Sequence, residues 1–250
     1  MKLASPFPLV VAAALTLTLT ACGGDNPSGA SDPSPAPSVT APSTDSTPTD
    51  QPTETGPVKR TKAELVKALL ELKDLPTGFA EDEDDPAGEG GTPFSSPTSK
   101  CKTLVKYLNA DEAPESKANA HRSFAGGQEG PYIDFSLDSL RTSAAVGDLQ
   151  TSYREAVTAC KKVTMRVEGA GSTQMEVAEI TAPAFGDSPF AFKLVGVSGP
   201  KQGLEYVAAI TGIGDVILSV GILAGQEGEL DGATEAAVEK ARTILLKTGG

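Results

Sequence analysis

Few side chains in this sequence have the chemistry of a reactive site. There are three cysteines (Cys22, Cys101 and Cys160), a single histidine (His121) and one dense acidic run, Glu81-Asp82-Glu83-Asp84-Asp85. A nucleophilic relay needs a base, an orienting carboxylate and a nucleophile converging, and nothing beside His121 supplies that pattern. The strand phase around it groups Asn119, His121 and Ser123 on one side and Ala120, Arg122 and Phe124 on the other, so His121 reads as a polar-face residue. Neither Gly-x-Ser-x-Gly nor His-Glu-x-x-His occurs. Calcium loops space their oxygens so that they converge on the ion; five consecutive acids do not, and the run reads as a solvated loop. No catalytic residue, metal ligand or cofactor is therefore expected, and the chain is read as a non-enzyme.

The cysteines carry more. Leu9 to Leu19 is apolar apart from threonines, follows the early charge of Lys2, and runs into Leu19-Thr20-Ala21-Cys22. Residues 1–21 thus have the form of a secretory signal peptide, since an apolar stretch of about 13 residues is short of the roughly 20 that span a bilayer. Leu-Thr-Ala-Cys also resembles the lipobox of bacterial lipoproteins. That likeness implies cleavage before Cys22 after its thiol has taken a diacylglyceryl group, with palmitate-like chains holding the protein on the outer face of the cell membrane. Two chains suffice for lasting attachment, because each buried methylene contributes about 0.8 kcal/mol. The alternative is an ordinary secreted protein with a free Cys22. With Cys22 lipidated, Cys101 and Cys160 are left as an even pair in an oxidising compartment, where a disulfide is the default.

Composition limits the partners. With 21 Lys and Arg against 33 Asp and Glu, the net charge is -12, so nucleic acid and other polyanions are excluded. Anionic headgroups repel the body as well, leaving membrane attachment to the lipid. Residues 22–57 hold 8 prolines, 12 serines or threonines and five acids with no basic residue. Such a segment cannot bury enough apolar surface to offset chain entropy, so residues 22–60 are expected to be a disordered tether. Residues 61–250 form one domain. With no Trp, 8 Phe and 4 Tyr, its core must be mostly aliphatic.

Within that domain Thr61 and Glu64 have capping-box spacing, predicting a helix with Leu65, Ala68, Leu69 and Leu72 on its apolar side. Leu75-Pro76-Thr77-Gly78-Phe79 ends it, and a Gly/Pro-rich loop reaches Pro97. Ser99 is expected to cap a short helix with Cys101, Leu104, Val105 and Leu108 inward. Extended runs at 117–125 and 132–140 follow; in the second, Ile133, Phe135 and Leu137 alternate with Asp134, Ser136 and Asp138, a strand with one wet face. The long apolar stripe at 143–163 predicts a helix that turns Cys160 toward the same core. Five strands follow at 164–168, 173–181, 190–197, 204–211 and 215–224, with short Gly-rich connections that make neighbours antiparallel. The nearly all-apolar last strand is placed centrally, and Asp231 is expected to open a closing helix. The fold class is α+β: a single twisted antiparallel sheet with helices packed on a face.

Leu75-Pro76-Thr77-Gly78-Phe79, the cysteine pair, and the turns Phe185-Gly186-Asp187 and Ile213-Gly214-Asp215 resemble the actinobacterial cell-envelope lipoproteins of the PknH-like extracellular sensor domain family. The resemblance spans roughly residues 61–247. It implies a central antiparallel sheet with helices, disulfide staples and a cleft for a ligand. This sequence departs from the kinase domain in having one internal cysteine pair instead of two.

Three functions are thereby set against one another: a tethered domain binding a small molecule or envelope component in a cleft, a structural or partner-binding envelope protein, and a hydrolase. For the first, the cleft is expected between the long helix and the sheet, with Tyr153, Phe185, Phe190 and Tyr206 as candidate ligand-binding residues, against the alternative that all four are plain core.

Overall fold

A computed structural model describes residues 56–82, 93–167, 169, 171–226 and 228–246. All of them belong to one compact unit, Pro52–Gly250. Cys22, the signal residues and most of the tether lie outside the described residues, as do Glu83, Asp84 and Asp85.

Helix α1 is Lys62–Ala68, opened by the expected capping box: Thr61 Oγ1 accepts from the Glu64 amide, and the Glu64 carboxylate accepts from the Thr61 amide at 2.6 Å. It stops at Ala68 because Leu69 turns extended. Helical spacing therefore never reaches Leu72, which begins a short 3-10 turn and is 43% exposed, not inward as expected. Two small strands follow where a plain loop was expected, β1 (Ala80–Asp82) and β2 (Phe94–Ser95). Glu81 and Asp82 thus belong to a strand.

A 3-10 turn, Ser99–Cys101, leads into α2 (Lys102–Leu108). Ser99 makes no cap; Cys101 stands at the helix start without a side-chain cap bond. Then come β3 (Ala118–Ala125), β4 (Tyr132–Ser139) and α3 (Ser143–Ala159). Thr142 Oγ1 caps α3 by accepting from the Ala145 amide at 3.1 Å. The helix ends sooner than its stripe suggested. Cys160 is already extended, and Val163 joins β5 (Lys162–Val167), where it still enters the same core. The chain continues through β6 (Gly171–Ile180), β7 (Asp187–Ser198), β8 (Glu205–Ile213) and β9 (Val216–Leu223) to α4 (Glu229–Leu245). Gly228 precedes α4 with φ +86°, and Asp231 sits in the first turn instead of opening the helix.

The nine strands among the described residues form one antiparallel sheet in the order β1-β3-β4-β9-β8-β7-β6-β5-β2. The nearly all-apolar β9 lies in the interior of the sheet, as its composition implied. Because strand side chains alternate between faces, its Val216, Leu218, Val220 and Ile222 enter one core and Ile217 the other. Helices cover both faces. On the first, α1 and α4 pack over Phe124, Phe135 and the even residues of β9. On the second, α2 and α3 pack over Met175, Phe190, Phe192 and Leu194.

The second face is where a site can form, and its covering helices are fixed to each other. Cys101 and Cys160 are bonded, with Cα atoms 4.6 Å apart, so the start of α2 is stapled to the end of α3. A second long-range clamp joins the segment before α1 and the end of α4 to the sheet. Arg60 Nη2 meets Asp215 Oδ1 at 2.7 Å, Arg60 Nη1 donates to the Leu245 carbonyl at 3.0 Å, and Ser139 Oγ donates to Asp215 Oδ2 at 3.1 Å.

Candidate functional site

The second face of the sheet is apolar from β5 to β8 and polar across β4 and β3. Register explains the change: Asp134, Ser136 and Asp138 of β4 lie opposite Gly221, Ser219 and Ile217 of β9, and opposite Ser123, His121 and Asn119 of β3. Over the boundary stand α2 and residues 110–113. A cleft of about 340 Å³ opens between them and the sheet, within the range of small-molecule sites.

Each wall follows from local sequence. Leu104, Tyr107 and Leu108, three and four residues apart on α2, present one helical face to the cleft. Met165, Met175, Phe192 and Leu194 make its apolar end; Asp134, Ser136, Asp138 and Ser219 make its polar end. Gly221 gives Tyr206 its place. A Cβ there would lie 2.5 Å from the Tyr206 hydroxyl oxygen and 3.0 Å from Cε2, so the phenol lies across the β9 backbone where any larger residue would displace it. The Tyr107 and Tyr153 rings meet at 4.3 Å between centroids, and the Tyr107 and Ser152 hydroxyls are hydrogen-bonded at 2.7 Å.

Asp138 was expected on a wet face and is instead 2% exposed. Residues 110–113 fold over it: the Ala113 amide and Asn119 Nδ2 both donate to its Oδ1 at 3.1 Å. Burial raises its pKa above the usual carboxylate value, against the opposing pull of those bonds. Burial also pushes the Tyr153 and Tyr206 phenols well up, with the nearby Asp138 and Asp134 carboxylates adding to the shift at each. Both phenols are therefore neutral hydroxyls at any physiological pH.

The four expected ligand-binding residues divide. Tyr153 and Tyr206 stand on the cleft wall. Phe190 does not: it is 1% exposed, closed into the core beneath α3, with Phe192 beside it and the Arg154 guanidinium over its ring. Phe185 is on the opposite face, packed against the α1 and α4 core. The opening also differs from expectation, lying under α2 and residues 110–113, with α3 contributing only Tyr153 to the wall. Phe79 likewise packs on the first face, away from it. His121 is exposed and borders a shallower 260 Å³ recess that shares Asp134, Ser136, Tyr206 and Ser219 with the cleft.

Sequence reasoning missed Tyr107, the β4 acids as site residues, and the methionines. The signal was present in β9, whose second face reads Ile217, Ser219, Gly221, Leu223: two small residues in an otherwise bulky strand mark a hollow. Ser198-Gly199-Pro200-Lys201 has Ser-x-x-Lys spacing, but it runs from the last residue of β7 into the exposed connection that follows. Among the described residues no group of three or more His, Cys, Asp or Glu is placed to hold a metal.

No family model matches the chain, and no curated protein matches it. Among solved structures it is similar to the crystal structure of the extracellular domain of PknH from Mycobacterium tuberculosis. The match has 14% identity and a TM-score of 0.52, and covers 75% of this chain and 98% of that one. At this identity the likeness carries the fold: a large antiparallel sheet with helices, as the sequence resemblance implied.

Proposed function

We propose that this protein is a non-enzymatic, extracytoplasmic domain, tethered to the outer face of the cell membrane through lipid on Cys22, that binds a small molecule in the cleft beneath α2. The observation that carries the binding reading is the cleft itself, with apolar side chains at one end and convergent hydroxyls and carboxylates at the other, which is the make-up of ligand pockets. The similarity to the extracellular domain of PknH supports the extracytoplasmic location. A docking role as a structural envelope protein finds less support. The exposed large hydrophobic residues among those described are Leu72 and Leu246, far from the contiguous apolar patch that a partner surface presents. Among the described residues no helix is long and apolar enough to cross a membrane, and attachment is assigned to Cys22.

Two experiments test the reading. Native mass spectrometry of the chain purified from its own envelope should show a bound small molecule that is lost when Ala208→Trp fills the cleft; retention of the adduct by that variant refutes the site. Cys22→Ser should release the protein from the membrane fraction, and a variant that still sediments wholly with membranes refutes the anchor.

A further inference from the structure

We infer that the cleft selects an organic cation: a protonated amine on a compact apolar body, in preference to its carboxylate counterpart. This rests on the cleft reading above and adds the sign of the ligand's charge. The lining carries four carboxylates, Asp111, Glu112, Asp134 and Asp138, and no lysine or arginine. Three of the four, Asp111, Glu112 and Asp134, are exposed, so they border the opening where a charged group would enter. The fourth is buried at the polar end.

The cavity, independently of these acids, calls for an apolar body. Met165, Met175, Phe192 and Leu194 would surround it with flexible thioethers and a ring edge. The paired Tyr107 and Tyr153 rings offer the electron-rich faces that attract ammonium groups. The buried Tyr153 and Tyr206 phenols stay neutral and so add no charge of their own. An anion would meet the opposite at every point: acids at the mouth, an acid at the far end, and a whole-chain charge of -12 that lowers its local concentration. The volume of about 340 Å³ equals the liquid volume of roughly 11 waters, room for a ring or short chain and not for a two-tailed lipid.

The test uses the chain from residue 22 onward with Cys22→Ser and the internal disulfide intact. Three ligands share one body and differ in the end group: phenylpropylamine, phenylpropanol and phenylpropanoate. Binding is followed at neutral pH and low salt through the methyl resonances of Met165 and Met175. The expected result is a shared footprint on those methyls, with the amine binding at least tenfold tighter than the carboxylate. Asp111→Asn with Asp134→Asn, both at exposed positions, should bring that gap below threefold, and the alcohol's footprint on the same methyls reports that the variant is folded. A gap under tenfold in the parent protein, or one that survives the double substitution, overturns the charge selectivity while the alcohol's footprint leaves the cleft reading standing. Absence of a footprint from all three ligands overturns the cleft reading and this inference with it.

Discussion

Removing Arg60 should unfold far more than the segment it belongs to. Its guanidinium makes three hydrogen bonds to the Asp215 carboxylate, at 3.2, 3.2 and 2.7 Å, and one to the last carbonyl of α4. The side chains are 11% and 5% exposed. In Arg60→Met the methionine keeps most of the buried stem, while among the described residues Asp215 retains only the Ser139 hydroxyl as a side-chain donor. An ion left without its partner in such a place costs about 3 to 5 kcal/mol. With a urea dependence of about 2 kcal/mol/M, the unfolding midpoint should fall by roughly 1.5 to 2.5 M. Adding Asp215→Asn removes the stranded charge and should restore more than half of the loss. The assay is far-UV circular dichroism in urea, suited to a chain without tryptophan. A midpoint shift under about 0.5 M for Arg60→Met, or a double variant whose loss equals the sum of the single losses, would refute the reasoning.

Other consequences can be checked on the same protein. Cys101 and Cys160 are separated by 59 positions, so replacing both with serine releases a loop worth about 4 kcal/mol of chain entropy; a loss under 1 kcal/mol in the same titration would contradict that. Asp138→Asn keeps an oxygen for the Ala113 and Asn119 donors but cannot ionise. Burial raises the Asp138 pKa in the folded state, so its stabilising contribution is complete below the unfolded value near 3.8 and is lost as pH rises through the folded value. The parent should therefore lose stability relative to the Asn variant as pH is raised from about 3.8 toward neutrality, and a difference that is flat or of opposite slope is evidence against a raised pKa. Gly221→Ala should destabilise by about 1 to 3 kcal/mol through the Tyr206 collision. Gly147→Ala, in mid α3 with open space around the added carbon, should stabilise by about 0.5 to 1 kcal/mol; equal effects at the two positions would show that crowding at Tyr206 is not what matters.

What could be read from the chain was what local chemistry settles. The Thr61 and Glu64 box, the apolar stripe of α3 and the alternation in β4 each depend on neighbours within four residues, and each is in place. The missed strands β1 and β2 are three and two residues long and exist only through pairing with β3 and β5 respectively, across a gap of about 40 to 70 positions. No periodicity can develop in so short a run. The Phe185 and Phe190 reading failed for a related reason. Both are aromatic and near a turn, but only the sheet phase separates them, and Phe185 lies before β7 begins. The Arg60–Asp215 clamp spans 155 positions, and nothing at either end announces the other. Asp138 shows the limit most plainly: alternation assigned its face correctly, and a covering segment brought in by α2 made that one position dry.

That covering segment is fastened along its whole length. Cys101 bonds to Cys160 at one end; Asn109 takes the Phe94 amide at 2.9 Å and gives to its carbonyl at 2.8 Å in the middle; the Ala113 amide meets Asp138 at the other end. The freedom that a ligand would otherwise have to freeze out on entry is thus already gone when the protein folds. Preorganised walls lower the entropic cost of association, and by linkage whatever loosens them must weaken binding. Thiol reduction would then act on the cleft from a distance: a reductant that touches no ligand contact would return mobility to α2 and make each binding event freeze it anew.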